Sequence, residues 1–143
     1  MSAGSRRLHA AIGAALAVAF AAVGLLFLAL PGPVLAAFDV LSRRSGLAAF
    51  AAAPDRFWLV LASAYMYVVT VLAWSMYRRP ADPVYPRLLA HAKLCSAALS
   101  LGLFAVERPH LIFLANGVVD GAIGLVALAL WRRCAREAAA SLP

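Results

Sequence analysis

The chain has 143 residues, 65% of them hydrophobic, and a mean hydropathy of +0.89. Soluble domains average about 45–50% apolar residues, so an ordinary water-soluble fold is excluded. The formal charge is +7, but the arginines stand at the ends of apolar runs. Membrane topology and anionic lipid then account for the basic balance, and no nucleic-acid partner is implied.

Four apolar runs carry the excess hydrophobicity, at residues 8–30, 57–77, 87–106 and 111–131. Each reaches the roughly 20 residues needed to cross a hydrocarbon core of about 30 Å. Helices satisfy their own backbone in lipid, so the expected fold is an all-α bundle of four transmembrane helices. Beside four spans the chain has no room for a soluble domain, and residues 1–143 are read as a single membrane domain.

The first run follows Arg6 and Arg7 and ends near small residues, as a signal peptide would. It is longer than the h-region of about 7–15 residues that such peptides carry, so it is expected to be retained. "SRR" is read as a topology anchor rather than a twin-arginine signal. Gly13, Ala17 and Ala21 form a small-residue seam suited to helix packing. "PGP" at 31–33 stops the helix. Val34, Phe38 and Leu41 then recur at helical intervals, with Asp39, Arg43 and Arg44 left for solvent, which predicts a short helix lying in the interface. Asp55 is placed to cap the second span.

On the second span Ser63, Tyr67, Thr70 and Trp74 share one stripe, suited to interhelical hydrogen bonds, while Tyr65 points elsewhere and needs a different partner. The third span shows two polar faces, one with His91, Cys95 and Gly102, the other with Lys93, Ser96 and Ser100. The short "ERPH" link makes the third and fourth spans an antiparallel hairpin. Trp58, Trp74, Tyr77, Tyr85 and Trp131 lie near span ends, as an aromatic belt requires.

The fourth span gathers Asn116, Gly117, Asp120, Gly121 and Gly124 on one arc and purely apolar residues on the other. Lipid cannot solvate an acid, so the first arc is expected to face protein. Gly117 and Gly121 form a GxxxG that admits a close neighbour, with Gly124 one turn further. Asp120 lies nine residues past Leu111, about 13.5 Å deep. Lys93, the single lysine, lies about 9 Å from the opposite side, which leaves the two roughly 7–8 Å apart in height across a core of about 30 Å. Helical side chains also lean toward their own N-terminus, which sends these two in opposite directions. A direct ion pair is therefore disfavoured, and an unpaired carboxylate in hydrocarbon prefers its neutral form. Tyr67, Ser96, Ser100 and Asn116 lie nearer Asp120 in depth. The candidate intramembrane binding site is Asp120, Asn116, Lys93, Tyr67, Ser96 and Ser100, with Gly117, Gly121 and Gly124 for packing.

With the N-terminus, the second link and the C-terminal tail on one side, that side holds eight arginines and the other four, which predicts both termini in the cytoplasm. Twelve arginines against one lysine, with abundant alanine, suggest a GC-rich bacterial genome and hence the bacterial inner membrane. The two cysteines form no disulfide framework. No metal cluster, nucleotide loop, nucleophile elbow or carboxylate pair is present, so neither an enzyme nor a cofactor is implied. His9 and His91 both lie toward the cytoplasmic side, as a haem site would need, but a surface histidine and a packed one explain them adequately. Two functions are carried forward. The first is an accessory or assembly subunit that packs against other membrane proteins or itself, in which Gly121→Leu disrupts the complex. The alternative is proton-linked transport or binding of a small solute or hydrophobic ligand at Asp120.

Overall fold

The computed structural model describes residues 3–48, 56–106 and 109–140. Five helices follow one another: α1 (Ala3–Ala29), α2 (Pro31–Arg44), α3 (Arg56–Arg78), α4 (Val84–Val106) and α5 (Leu111–Ala139). All but α2 are long and apolar enough to cross a membrane. The all-α four-span bundle is thus the observed fold.

The helices depart from the sequence expectation mainly at their ends, where hydropathy says little. α1 begins five residues earlier, at Ala3, and α5 runs eight residues past Trp131 into its charged tail. There Arg133 pairs with Glu137 one turn on, at 3.4 Å. α4 begins at Val84 because Asp82 accepts a hydrogen bond from the Val84 amide at 3.0 Å, satisfying an orphan donor of the first turn. Asp55, the expected cap of α3, lies outside the described residues, as does the side chain of Trp58.

"PGP" ends α1 as expected, but it is not a loop. Leu30 is the single residue between helices, and Pro31 opens α2 at its first position, where a missing N–H costs nothing. α2 closes through Gly46, whose φ of +70° only glycine adopts without strain. Its amide reaches the Arg43 carbonyl at 3.1 Å, and the Leu47 amide reaches that of Ser42 at 2.9 Å. This double bond pattern absorbs two terminal carbonyls. Val40 and Leu41 are exposed on α2, and Asp39 pairs with Arg43. The helix is pinned to the bundle by Ser42, whose hydroxyl donates to the Ala48 carbonyl at 2.7 Å. The ring Nδ1 of His110 lies 3.0 Å from that same oxygen.

The spans pack as two antiparallel pairs, α1 with α3 and the expected hairpin α4 with α5, with a lighter α3–α4 contact between them. Glycine decides how closely each pair approaches. A Cβ on Gly13 would lie 2.7 Å from the Tyr77 backbone nitrogen, and one on Gly124 would lie 3.1 Å from that of Leu94. The common core lies between the pairs and includes Phe20, Val69, Ala73, Met76, Leu89, Ala127 and Leu130. His9 is buried at one end of it. Its Nδ1 lies 2.8 Å from the Ser5 carbonyl oxygen and its Nε2 lies 3.2 Å from that of Leu130, which ties α1 to α5.

Candidate functional site

Lys93 on α4 and Asp120 on α5 form a buried ion pair, Nζ to Oδ1 2.8 Å, with side chains only 3% and 6% exposed. This overturns the expectation that depth and side-chain direction keep them apart. The depth difference itself is real. Gly117 packs against Leu101 and the Ala97 carbonyl, and Gly124 against Leu94. That register sets Asp120 about level with Ala97 or Ala98, roughly 6–7 Å along the axis from Lys93. The four-carbon lysine stem spans the gap. It does so because the alternative is an ammonium with no counter-charge inside the bundle, which costs far more than an unfavourable rotamer. The leaning rule is a preference of order 1 kcal/mol, and the desolvated charge outweighs it.

Two aromatic rings complete the surroundings of the ammonium. Phe20 of α1 has its ring centroid 4.6 Å from Nζ, and Tyr65 of α3 has its centroid 5.1 Å away. Both are within cation–π range. All four spans therefore meet at this charge. Tyr65 also donates its hydroxyl to the Ala92 carbonyl at 3.2 Å, linking α3 to α4. By helical periodicity alone Tyr65 turns away from the stripe and Tyr67 belongs to the site. Tyr67 is 70% exposed on the outside of α3, so that assignment is corrected. The two tyrosines are two positions apart, about 200° round the helix, and only packing decides which one faces inward. Phe20 was missed altogether, since one more apolar residue on an apolar helix carries no signal.

One turn toward the other end of α5, Asn116 donates through Nδ2 to Ser100 at 2.7 Å and to Ser96 at 3.3 Å. These three meet one another rather than Asp120, beside which the sequence places them. They form a second polar link between α4 and α5 rather than a coat around Asp120. Of the stripe on α3, Thr70 donates to its own helix at Met66, 2.7 Å away, and Trp74 is exposed, so interhelical bonding through that stripe is not what the fold uses.

The glycines of α5 serve the α4–α5 seam. Gly117 and Gly124 are the crowded positions, while a Cβ on Gly121 would meet only Ala97, at a comfortable 3.7 Å. The small-residue face is therefore consumed within the chain. Conversely, His91, Cys95 and Gly102 all lie exposed on the outside of α4. His91 faces away from the core and both His9 ring nitrogens are engaged with carbonyls, so the two do not converge. Among the described residues no group of three or more His, Cys, Asp or Glu side chains could hold a metal.

Comparisons with known protein families, with characterised proteins and with solved structures find no match. The site itself is what speaks. Chemically it is a neutralised charge pair, sealed between helices and flanked by aromatic faces.

Proposed function

We propose that this protein is an accessory or assembly subunit of a larger or oligomeric membrane complex, and that its partner covers the outer face of α4. The observation that carries this reading is the exposure of His91, Cys95 and Gly102 along a membrane-spanning helix. Polar side chains in a span usually face protein rather than lipid. No other helix among the described residues comes within 4 Å of where a side chain on Gly102 would begin, which leaves a flat place for another helix to approach. The comparable seams on α1 and α5 are already filled by α3 and α4, so Gly121→Leu is now expected to disturb folding before assembly.

The test is purification of the full chain at native expression in mild detergent, followed by native mass measurement. The wild type should run as a complex, and the pair His91→Leu with Gly102→Leu should release it as a folded monomer. A wild-type protein that is already a lone monomer with nothing bound overturns the proposal.

The proposed topology places both termini in the cytoplasm, in a bacterial inner membrane. Its support is the gathering of exposed Arg6, Arg7, Arg78, Arg79, Arg87, Arg132, Arg133 and Arg136 at one end of the bundle. A second reading, transport or binding of a small solute or hydrophobic ligand, draws on the intramembrane Asp120. It ranks behind the first because Lys93 already compensates that charge. Proteoliposome flux in wild type and Asp120→Asn across pH would decide it, and identical behaviour would remove this reading.

A further inference from the structure

The two helix pairs meet along only part of their length. Among the described residues, no member of the buried apolar core lies at 21–29 of α1, 59–68 of α3, 98–106 of α4 or 111–119 of α5. Those stretches all lie toward the α2 side. Two contacts show how the pairs part there. At the arginine-rich end, His9 Nε2 lies 3.2 Å from the Leu130 carbonyl oxygen, so α1 and α5 are neighbours. Neighbouring helix axes stand about 8–10 Å apart. From that contact α1 runs on to Ala29 and α5 back to Leu111, so the two ends come to the same height within about 2 Å. There α2 bridges them. It leaves α1 at Leu30, and Ser42 Oγ accepts the Leu111 amide at 3.5 Å. The helical stretch from Leu30 to Ser42 measures about 18 Å. On the α2 side, α1 and α5 therefore stand roughly twice as far apart as at the arginine-rich end.

The faces turned into this gap pass from buried to exposed as it widens. On α3, Val69 is fully buried, while Ala62, two turns nearer α2 on the same face, is exposed. On α5, Asp120 is buried, while Asn116, one turn nearer α2 and about 40° round, is exposed. Asn116 donates through Nδ2 to Ser96 and Ser100, and its Oδ1 has no donor among the described residues. It stands one turn and a half past Leu111, about 7.5 Å into the span. Acyl chains offer an amide oxygen nothing at that depth. Intramembrane polar groups face protein or a water-filled cavity, and no protein covers this one.

We propose that the parted pairs enclose a water-filled vestibule, open on the α2 side, which admits small polar solutes as far as Asn116 and ends on the sealed Lys93–Asp120 pair. Asn116 selects the occupant, because it is reachable from the gap and needs a donor that lipid tails lack. Phe20 closes the inner end, with its ring centroid 4.6 Å from Lys93 Nζ. Beyond it the apolar core is continuous, so access is one-sided. A solute bound at Asp120 would arrive by this route, but the vestibule does not depend on that reading.

The test compares two exposed alanines of α3 at similar depth. Ala62 faces the gap, and Ala64, about 200° round the helix, faces away from the bundle. Each is replaced by cysteine in the full chain carrying Cys95→Ser and Cys134→Ser. The chain is reconstituted in sealed proteoliposomes whose orientation is read from protection of a C-terminal tag. The probe is trimethylammonium-ethyl methanethiosulfonate, which is charged, does not cross the bilayer, and reacts with the thiolate that forms in water. Ala62→Cys should react at least about tenfold faster than Ala64→Cys, and only with reagent on the α2 side. Adding Asn116→Leu should slow the Ala62→Cys reaction at least about fivefold. If Asn116→Leu fails to fold, the comparison of the two alanine sites, made with Asn116 in place, still decides. Equal rates at the two sites, which is the result for a gap filled by lipid tails, would overturn the proposal. So would reaction from the arginine-rich side, or a folded Asn116→Leu variant that reacts as fast as its parent.

Discussion

Lys93 Nζ and Asp120 Oδ1 stand 2.8 Å apart inside the helical bundle, sealed from solvent on nearly all sides. The pair is more a constraint on packing than a source of stability, because desolvating two ions consumes most of what their attraction returns. Asp120→Asn or Lys93→Met alone should therefore destabilise the bundle by about 3–5 kcal/mol, since each leaves an uncompensated charge. The double variant Lys93→Met with Asp120→Leu should recover most of that loss, as measured by denaturation in mixed micelles. Two additive single losses would mean the charges act independently. Tyr65 provides a smaller contrast. Tyr65→Phe should cost about 1 kcal/mol through its bond to Ala92, and Tyr67→Phe at its exposed site should cost nothing measurable.

Within and between elements, the glycines set helix distances. Gly13→Ala and Gly124→Ala each force a Cβ toward backbone atoms, at 2.7 and 3.1 Å, that cannot step aside without parting the helices. Each should lower stability by about 1–3 kcal/mol, the usual range for overpacking. Gly121→Ala, with 3.7 Å to spare, and Gly102→Ala, with open space, should be neutral or slightly stabilising, because alanine is the better helix former. Thermal unfolding of the four variants in one detergent checks the order. The GxxxG pattern points to a packing surface on the fourth span, where Gly117 meets Leu101 and Gly124 meets Leu94. Its spacing could not say that Gly124 is tighter than Gly121, because that depends on where the residues of α4 fall.

At the scale of the molecule, the two antiparallel pairs meet through few but specific contacts. These are the shared apolar core, the His9 bond to Leu130, the Tyr65 bond to Ala92, and the rings over Lys93. Such an arrangement leaves the outer faces of α1, α3 and α4 free to meet lipid or another protein. Cys95 is exposed and Cys134 buried, so a membrane-soluble maleimide should label the former at least about tenfold faster in the isolated chain. If α4 faces a partner, that advantage should shrink within the intact complex. Equal labelling of the two thiols in the isolated chain would contradict the packing described for α5.

The class of this protein is legible in its residues alone. Four runs of apolar side chains long enough to span hydrocarbon leave the backbone no choice but helix, and the short links leave little choice but a bundle. The polar arc of α5 and the shared face of Lys93, Ser96 and Ser100 on α4 follow from helical periodicity, which is local information. Helix ends were less legible, because α4 and α5 are extended by capping and charge pairing outside the apolar window. What only the tertiary structure decided is which polar group meets which. The Lys93–Asp120 bond depends on the reach of a flexible stem, on the burial of both side chains, and on rings brought in from α1 and α3. Those are properties of several helices at once, and no single helix encodes them.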